Sequence, residues 1–282
     1  MKKILFTAAV LMCAASLKAQ CLGVGSSTSS MSPEEMAQAA QAGIEYVEIG
    51  ISGRGTVAEI REKALHAKQK ADEAGLKVWS CHLPFSRTMD ISVLSDSARM
   101  ANVEFLTEMI AICGELGPKK LVLHPSSEPI ADTEREQRIL NSIASIGVLR
   151  KAAAQIGADL CIEDLPRTCL GRNSVELLRI IAPYPDVKIC FDTNHLLSED
   201  LLHFVEACGD RIGTVHISDY DMVDERHWLP GKGRIDWPVL YNALMKAGYK
   251  GVFMYELKRG EGSFDEMVAI YEKMASDAAK TE

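Results

Sequence analysis

The 282-residue chain has no C-x-x-C pair, no run of basic residues and no glycine-rich phosphate loop. It also has no internal repeat and no low-complexity linker. Without C-x-x-C pairs, zinc-ribbon and thioredoxin-like redox readings have no support. The missing basic runs, with a formal net charge of −8, make the chain a poor nucleic-acid ligand, because phosphate binding rests on Lys and Arg. The lack of a 20–50-residue period excludes solenoids and propellers. After the N-terminus no apolar stretch is long enough to span a bilayer, so no membrane span is expected.

The N-terminus reads MKKILFTAAVLMCAASLKAQ. Lys2 and Lys3 form a positive n-region, Ile4 to Ala15 an apolar h-region, and Ala19 a small residue suited to cleavage. This pattern predicts a signal peptide over residues 1–19 and an exported protein, periplasmic or secreted. Cys21 invites a lipoprotein anchor, but Lys18 and Gln20 fit poorly in the small-residue box such anchors need. Cleavage after Ala19 removes three lysines and no acids, taking the net charge to −11. Residues 20–282 then fit one domain of barrel size.

Of eight cysteines, the seven beyond Ala19 are an odd number. Cys161 and Cys190 stand two residues before Glu163 and Asp192. Strand periodicity therefore points them inward, one layer below those acids. They read as small core filler rather than as a disulfide.

Seven short apolar runs each end on a residue that binds metals or moves protons: Glu48, His82, His124, Glu163, Asp192, His216 and Glu256. A β-branched run closed by one polar residue is the pattern of a strand buried on both faces. Helical patterns fill the gaps. The first begins at Ser32-Pro33-Glu34-Glu35, a capping box with proline at N1. With a first strand at Cys21 to Ser26, the count is eight β–α units, and the expected fold class is α/β, a (β/α)8 TIM barrel. In that fold the strand C-terminal ends meet on one face, which carries the active site. The longest irregular stretch, Ser218 to Asp236, falls on that face and is expected to be functional.

Glu163, Asp192, His216 and Glu256 form the sharpest constellation. Their spacings of 29, 24 and 40 residues are each about one β–α unit, as ligands delivered by strands five to eight require. Carboxylates with one imidazole suit a divalent metal, Mn2+ or Zn2+, with Co2+ or Mg2+ as alternatives. His66 and His203 lie in helical patterns and read as solvated.

These residues resemble the xylose isomerase-like TIM barrels. That family includes sugar isomerases, ketose 3-epimerases, hydroxypyruvate isomerase, inosose dehydratase and the endonuclease IV group. The similar segments are IED at Glu163, FDTNH from Asp192 to His195, VHISD at His216, LPGKGRIDW from Leu229 to Trp237, and YELK at Glu256. The resemblance implies that Glu163, Asp192, His216 and Glu256 are metal ligands and that His195 contacts substrate or a further metal. It places His82 and His124 in the substrate pocket or on metal. His227 and Trp228 in the long loop are candidates for substrate contact, and Glu48 for orienting His82. The order of histidines also matches the three-metal endonuclease IV branch, except that Glu225 stands where that branch has Asp.

By the same resemblance, the chain is expected to be a carbohydrate isomerase or epimerase. It would work through a metal-bound enediolate, with Glu163 and Glu256 as two acid/bases on opposite sides of the reacting carbon. The alternative is a metal-dependent hydrolase or lyase acting on a keto-glycoside, a dehydration substrate or a phosphodiester. The expected partner is a small-molecule carbohydrate. The sequence leaves a homodimer open.

Overall fold

The computed structural model describes residues 24–27 and 31–280. The expected signal peptide, Cys21 and the start of the first strand lie outside the described residues. Eight parallel strands close in sequential order into one barrel: β1 Val24–Ser27, β2 Tyr46–Gly50, β3 Lys77–His82, β4 Lys120–Leu123, β5 Asp159–Glu163, β6 Lys188–Asp192, β7 Ile212–Ile217 and β8 Phe253–Tyr255. The helices are α1 Pro33–Ala42, α2 Val57–Glu73, α3 Asp96–Leu116, α4 Asp132–Gln155, α5 Ser174–Ile181, α6 Leu201–Cys208, α7 Trp237–Lys246 and α8 Phe264–Ala278.

Local sequence sets most boundaries. Ser32 and Glu35 form the expected capping box, and Thr56 with Glu59 and Ser263 with Glu266 form two more. Each box satisfies backbone N–H groups that the first turn leaves without partners. The third helix starts at Asp96 rather than at the expected Val93. Ser95 takes the cap, and the Asn141 side chain donates to the Val93 carbonyl, which fixes residue 93 outside the helix.

Alternation along the strands separates two cores. In β5, Leu160 and Ile162 face the helices while Cys161 and Glu163 face the barrel axis. In β6, Ile189 and Phe191 face out while Cys190 and Asp192 face in. Each fully buried Ile or Phe of the outer layer contributes about 1.5–3 kcal/mol relative to exposure. The axis is filled in layers. Trp79, Val252 and Met254 form one cluster, and Val122, Cys161 and Cys190 form another. All six cysteines of the described residues are free and buried, so Cys161 and Cys190 are the filler their spacing suggested.

Two bulges aim the upper layer. Val47 pairs with Val78 and Glu48 with Ser80, so Trp79 is an extra residue in β3. Its indole N–H donates to Thr214 Oγ1 at 3.0 Å while Ser80 Oγ donates to Glu48 Oε2 at 2.7 Å. In β7 the extra residue is Gly213. A Cβ there would lie 2.7 Å from Lys188 Cβ and 3.2 Å from Cys161 Sγ, so the register shift needs glycine.

Candidate functional site

Most expected site residues sit at or one position beyond a strand C-terminus; Glu48 is in the middle of β2, His195 lies three residues past β6, and His227 and Trp228 are on the long loop. His82, Glu163 and Asp192 close their strands, His216 is the penultimate residue of β7, and His124 and Glu256 are the first residues after β4 and β8. His82, Glu163, Asp192, His195, His216 and Glu48 are buried, whereas the Glu256 side chain keeps 29% of its surface exposed.

Glu163 is the centre of the arrangement. Its Oε2 lies 3.2 Å from His82 Nε2 and 2.9 Å from His124 Nε2. Its Oε1 lies 3.1 Å from His216 Nδ1, which is also 3.2 Å from Glu256 Oε2. Four groups of donors close enough to hold a cation result, one of them Glu163, Cys190 and His216. The inner group is Glu163, Asp192, His216 and Glu256, as the spacing predicted. A second is His82, His124 and Glu163. A third is His195, Glu225 and His227.

Four imidazoles are each set in orientation by a hydrogen bond from one ring nitrogen, three to backbone carbonyls and one to the Glu48 carboxylate. His82 Nδ1–H donates to the Leu83 carbonyl at 2.9 Å, His195 Nδ1–H to the Asp164 carbonyl at 2.7 Å, and His227 Nδ1–H to the Glu256 carbonyl at 3.1 Å. His216 Nε2–H donates to Glu48 Oε2 at 3.0 Å. The tautomers follow from these partners. In every case the other nitrogen points at a candidate ligand carboxylate. Metal-binding histidines are held in this way, with one N–H on a carbonyl or carboxylate and the other nitrogen on the ion. Glu48 thus orients His216 rather than the expected His82.

The electrostatics match. Burial alone would lower the His82 imidazole, but Glu163, Glu48 and Glu256 outweigh it and lift its pKa to about 9. His216 and His195 are likewise raised against burial by surrounding acidic groups. Burial pushes the Asp192 carboxyl well up, and its Oδ2 is a buried oxygen with no hydrogen-bond partner. Glu163, Asp192 and Glu256 converge with His216, and one carboxyl oxygen among them, Asp192 Oδ2, has no hydrogen bond. A divalent cation fits that donor set.

The Ser218–Asp236 loop carries Glu225, His227 and Trp228. It is pinned by buried Asp219, whose carboxylate accepts from the backbone N–H groups of Tyr220, Gly231 and Ile235 and from the Trp237 indole. A Cβ at Gly233 would stand 2.2 Å from Asp219 Oδ1 and 2.3 Å from the Tyr220 carbonyl. That close approach explains the second glycine of LPGKGRIDW. His227 adopts a left-handed backbone, φ 50°, rare for a residue with a Cβ, and joins the third donor group. Trp228 does not reach any donor group. Its backbone bridges to Asp219, and the Arg226 guanidinium lies 5.9 Å from its ring. His66 and His203 are exposed on their helices.

The sequence reading missed two residues. Phe85, 55% exposed, stacks on His124 with ring centroids 3.9 Å apart. Its place three residues after a strand end, in HLPF, was the available signal. Arg167 ion-pairs with Glu128, Asp224 and Glu225 across three loops, and a lone loop arginine gives no signal at all. Phe85, His124, Arg167 and His195 border a cavity of about 290 Å³ beside the donor groups.

A family model for the xylose isomerase-like TIM barrel matches residues 36–275. The chain belongs to this family. Its relatives include the ketose 3-epimerase of Arthrobacter globiformis, 25% identical over 199 residues that cover 67% of this chain and 66% of that protein. Among solved structures, a D-tagatose 3-epimerase-like protein matches with a TM-score of 0.76 at 19% identity, over 92% of this chain and 98% of that one. A 3-keto-D-glucoside 4-epimerase from E. coli matches with a TM-score of 0.69 at 19% identity, over 90% of this chain and 98% of that one. At these identities the two structures speak for the fold.

Proposed function

We propose that the protein is a divalent-metal-dependent carbohydrate isomerase or epimerase. The observation that carries this reading is the set of four imidazoles whose outward N–H groups are already bonded, leaving the inward nitrogens beside Glu163, Asp192, Glu256 and Glu225. The ketose 3-epimerase relative supports a sugar as the substrate class. Glu163, Asp192, His216 and Glu256 would hold the principal ion. Bound there, a divalent cation supplies a Lewis acid that polarises a sugar carbonyl and makes the neighbouring C–H more acidic.

The chain's own residues supply the rest. One carboxylate, Glu256 or Glu163, takes the proton from the carbon next to the carbonyl, and the C–H electron pair moves toward the carbonyl to give an enediolate. The other residue, entering the step as the carboxylic acid, gives its proton to the opposite face for epimerisation, or to the neighbouring carbon for isomerisation. Phe85 offers an apolar ring face for a sugar at the cavity mouth. Turnover in D2O should place solvent deuterium in the product at the carbon beside the carbonyl. Product that stays fully protonated there would rule out this chemistry.

Donor groups that share Glu163, with a further group at His195, Glu225 and His227, favour one second reading, a metal-activated hydrolase or lyase, in which several ions generate a water nucleophile. Three ions bound per chain at saturation, with no deuterium incorporation, would select it.

The N-terminal pattern supports export and with it free or glycosidic sugars over phosphorylated ones, consistent with the missing phosphate loop. Intact mass of protein recovered from its native host should lack residues 1–19. A mature chain beginning at Met1 would reopen sugar phosphates.

A further inference from the structure

Glu225 divides its carboxylate between two kinds of partner. Oε1 lies 3.1 Å from His195 Nε2 and 4.0 Å from His227 Nε2, facing the third donor group. Oε2 is in direct contact with the Arg167 guanidinium. Arg167 is firmly placed: its Nε donates to Glu128 Oε1 at 2.8 Å and its NH1 to Asp224 Oδ1 at 3.0 Å, from a backbone with φ 53°. A residue with a Cβ adopts that conformation rarely. With three carboxylates on its donors, Arg167 is already committed and is not poised to receive an anionic substrate. The inner group differs. Among the described residues, Glu163, Asp192 and Glu256 are ion-paired only with histidines.

We infer that Arg167 sets the cation occupancy of the outer group His195–Glu225–His227, holding it weak by keeping one oxygen of Glu225 on its guanidinium. The inference rests on the metal-dependent reading above. The physical reason is twofold. A carboxylate that shares an oxygen with arginine has one oxygen left for an ion, and a fixed positive charge nearby repels a divalent cation. Ions therefore fill the inner group first and the outer group last. Arg167 is a positioning residue, acting through Glu225, and it bears on whether the barrel works with a single principal ion or with a full cluster.

The test is Mn2+ binding to chelator-stripped full-length protein, with free Mn2+ counted by its electron paramagnetic resonance signal. Wild type should show a tight ion and a much weaker outer one. Arg167→Gln should tighten the outer ion by about 10- to 100-fold, the range over which groups behind a ligand tune affinity, and leave the tight ion unchanged. The ion so gained should be lost again in Arg167→Gln/His227→Ala. Arg167→Lys keeps the charge but cannot span three carboxylates, so its gain should be smaller. It carries the test alone if the glutamine variant does not fold. An outer constant identical to wild type in either folded variant overturns the inference, as does a gained ion that survives loss of His227. Wild type that binds no Mn2+ at all is a different result, which sinks the metal-dependent reading itself.

Discussion

Glu256→Gln is expected to lower turnover by roughly 10²–10⁴, the usual contribution of a positioned acid or base, while substrate still binds. Glu256 is the candidate base closer to solvent, with 29% of its side chain exposed. Burial would raise its pKa, but His216 at 3.2 Å outweighs that and holds the carboxyl below the ordinary range. It is therefore ionised and ready to accept a proton near neutral pH. The amide is nearly isosteric and keeps an oxygen for an ion, but it cannot take up a proton there. Mn2+ affinity should fall less than in Asp192→Ala. Glu163→Gln should act alike, and the double variant should be little worse than either single one, because losing one base already stops a two-base transfer. Steady-state kinetics at saturating Mn2+ decide the matter. Near-normal turnover in Glu256→Gln would remove the two-carboxylate mechanism and leave the hydrolase reading ahead.

For Asp192→Ala, metal content and activity should both collapse while the barrel stays folded. Asp192 is fully buried, with Oδ1 accepting from the Asn194 N–H at 2.7 Å and Oδ2 without a hydrogen bond, 3.6 Å from His195 Nε2. Removing it costs the Asn194 bond, about 1 kcal/mol, and relieves a buried oxygen that lacks a hydrogen bond. These oppose each other, so the melting temperature of stripped protein should change little. The difference appears on adding Mn2+. An ion at 100 times its Kd stabilises the folded state by about 2.7 kcal/mol, which in a domain of this size is roughly 5–10 °C. Wild type should show that rise and Asp192→Ala should not. A variant that gains as much as wild type would mean that Asp192 is not a ligand.

Strand ends were legible because their signal is local. In β5 and β6 two residues per side suffice to tell axis from helix layer, and Pro125 after His124 or Gly43 after α1 marks where an element stops. The inner donor group was legible for the same reason: four successive strands each deliver one donor residue to the same level, so spacing of one β–α unit stands in for distance. Glu48 shows where this fails. It contacts His216 across 168 positions, because β2 and β7 face each other across the barrel, and the bulge at Trp79 decides which side chains of β3 reach the axis.

What the sequence by itself determined is the barrel, the layer of acids and imidazoles at its mouth and the glycines that let the LPGKGRIDW loop close on Asp219. Each depends on residues a few positions apart or on a repeated unit length. Only the tertiary structure decided the sharing of Glu163 between two donor groups, the direction in which each imidazole presents its nitrogen, the stacking of Phe85 on His124 and the grip of Arg167 on Glu225. These depend on barrel tilt, on bulges and on three loops meeting above the strands. An imidazole's free nitrogen is fixed by whichever carbonyl or carboxylate lies behind it, and that partner is chosen by the packing of the whole chain.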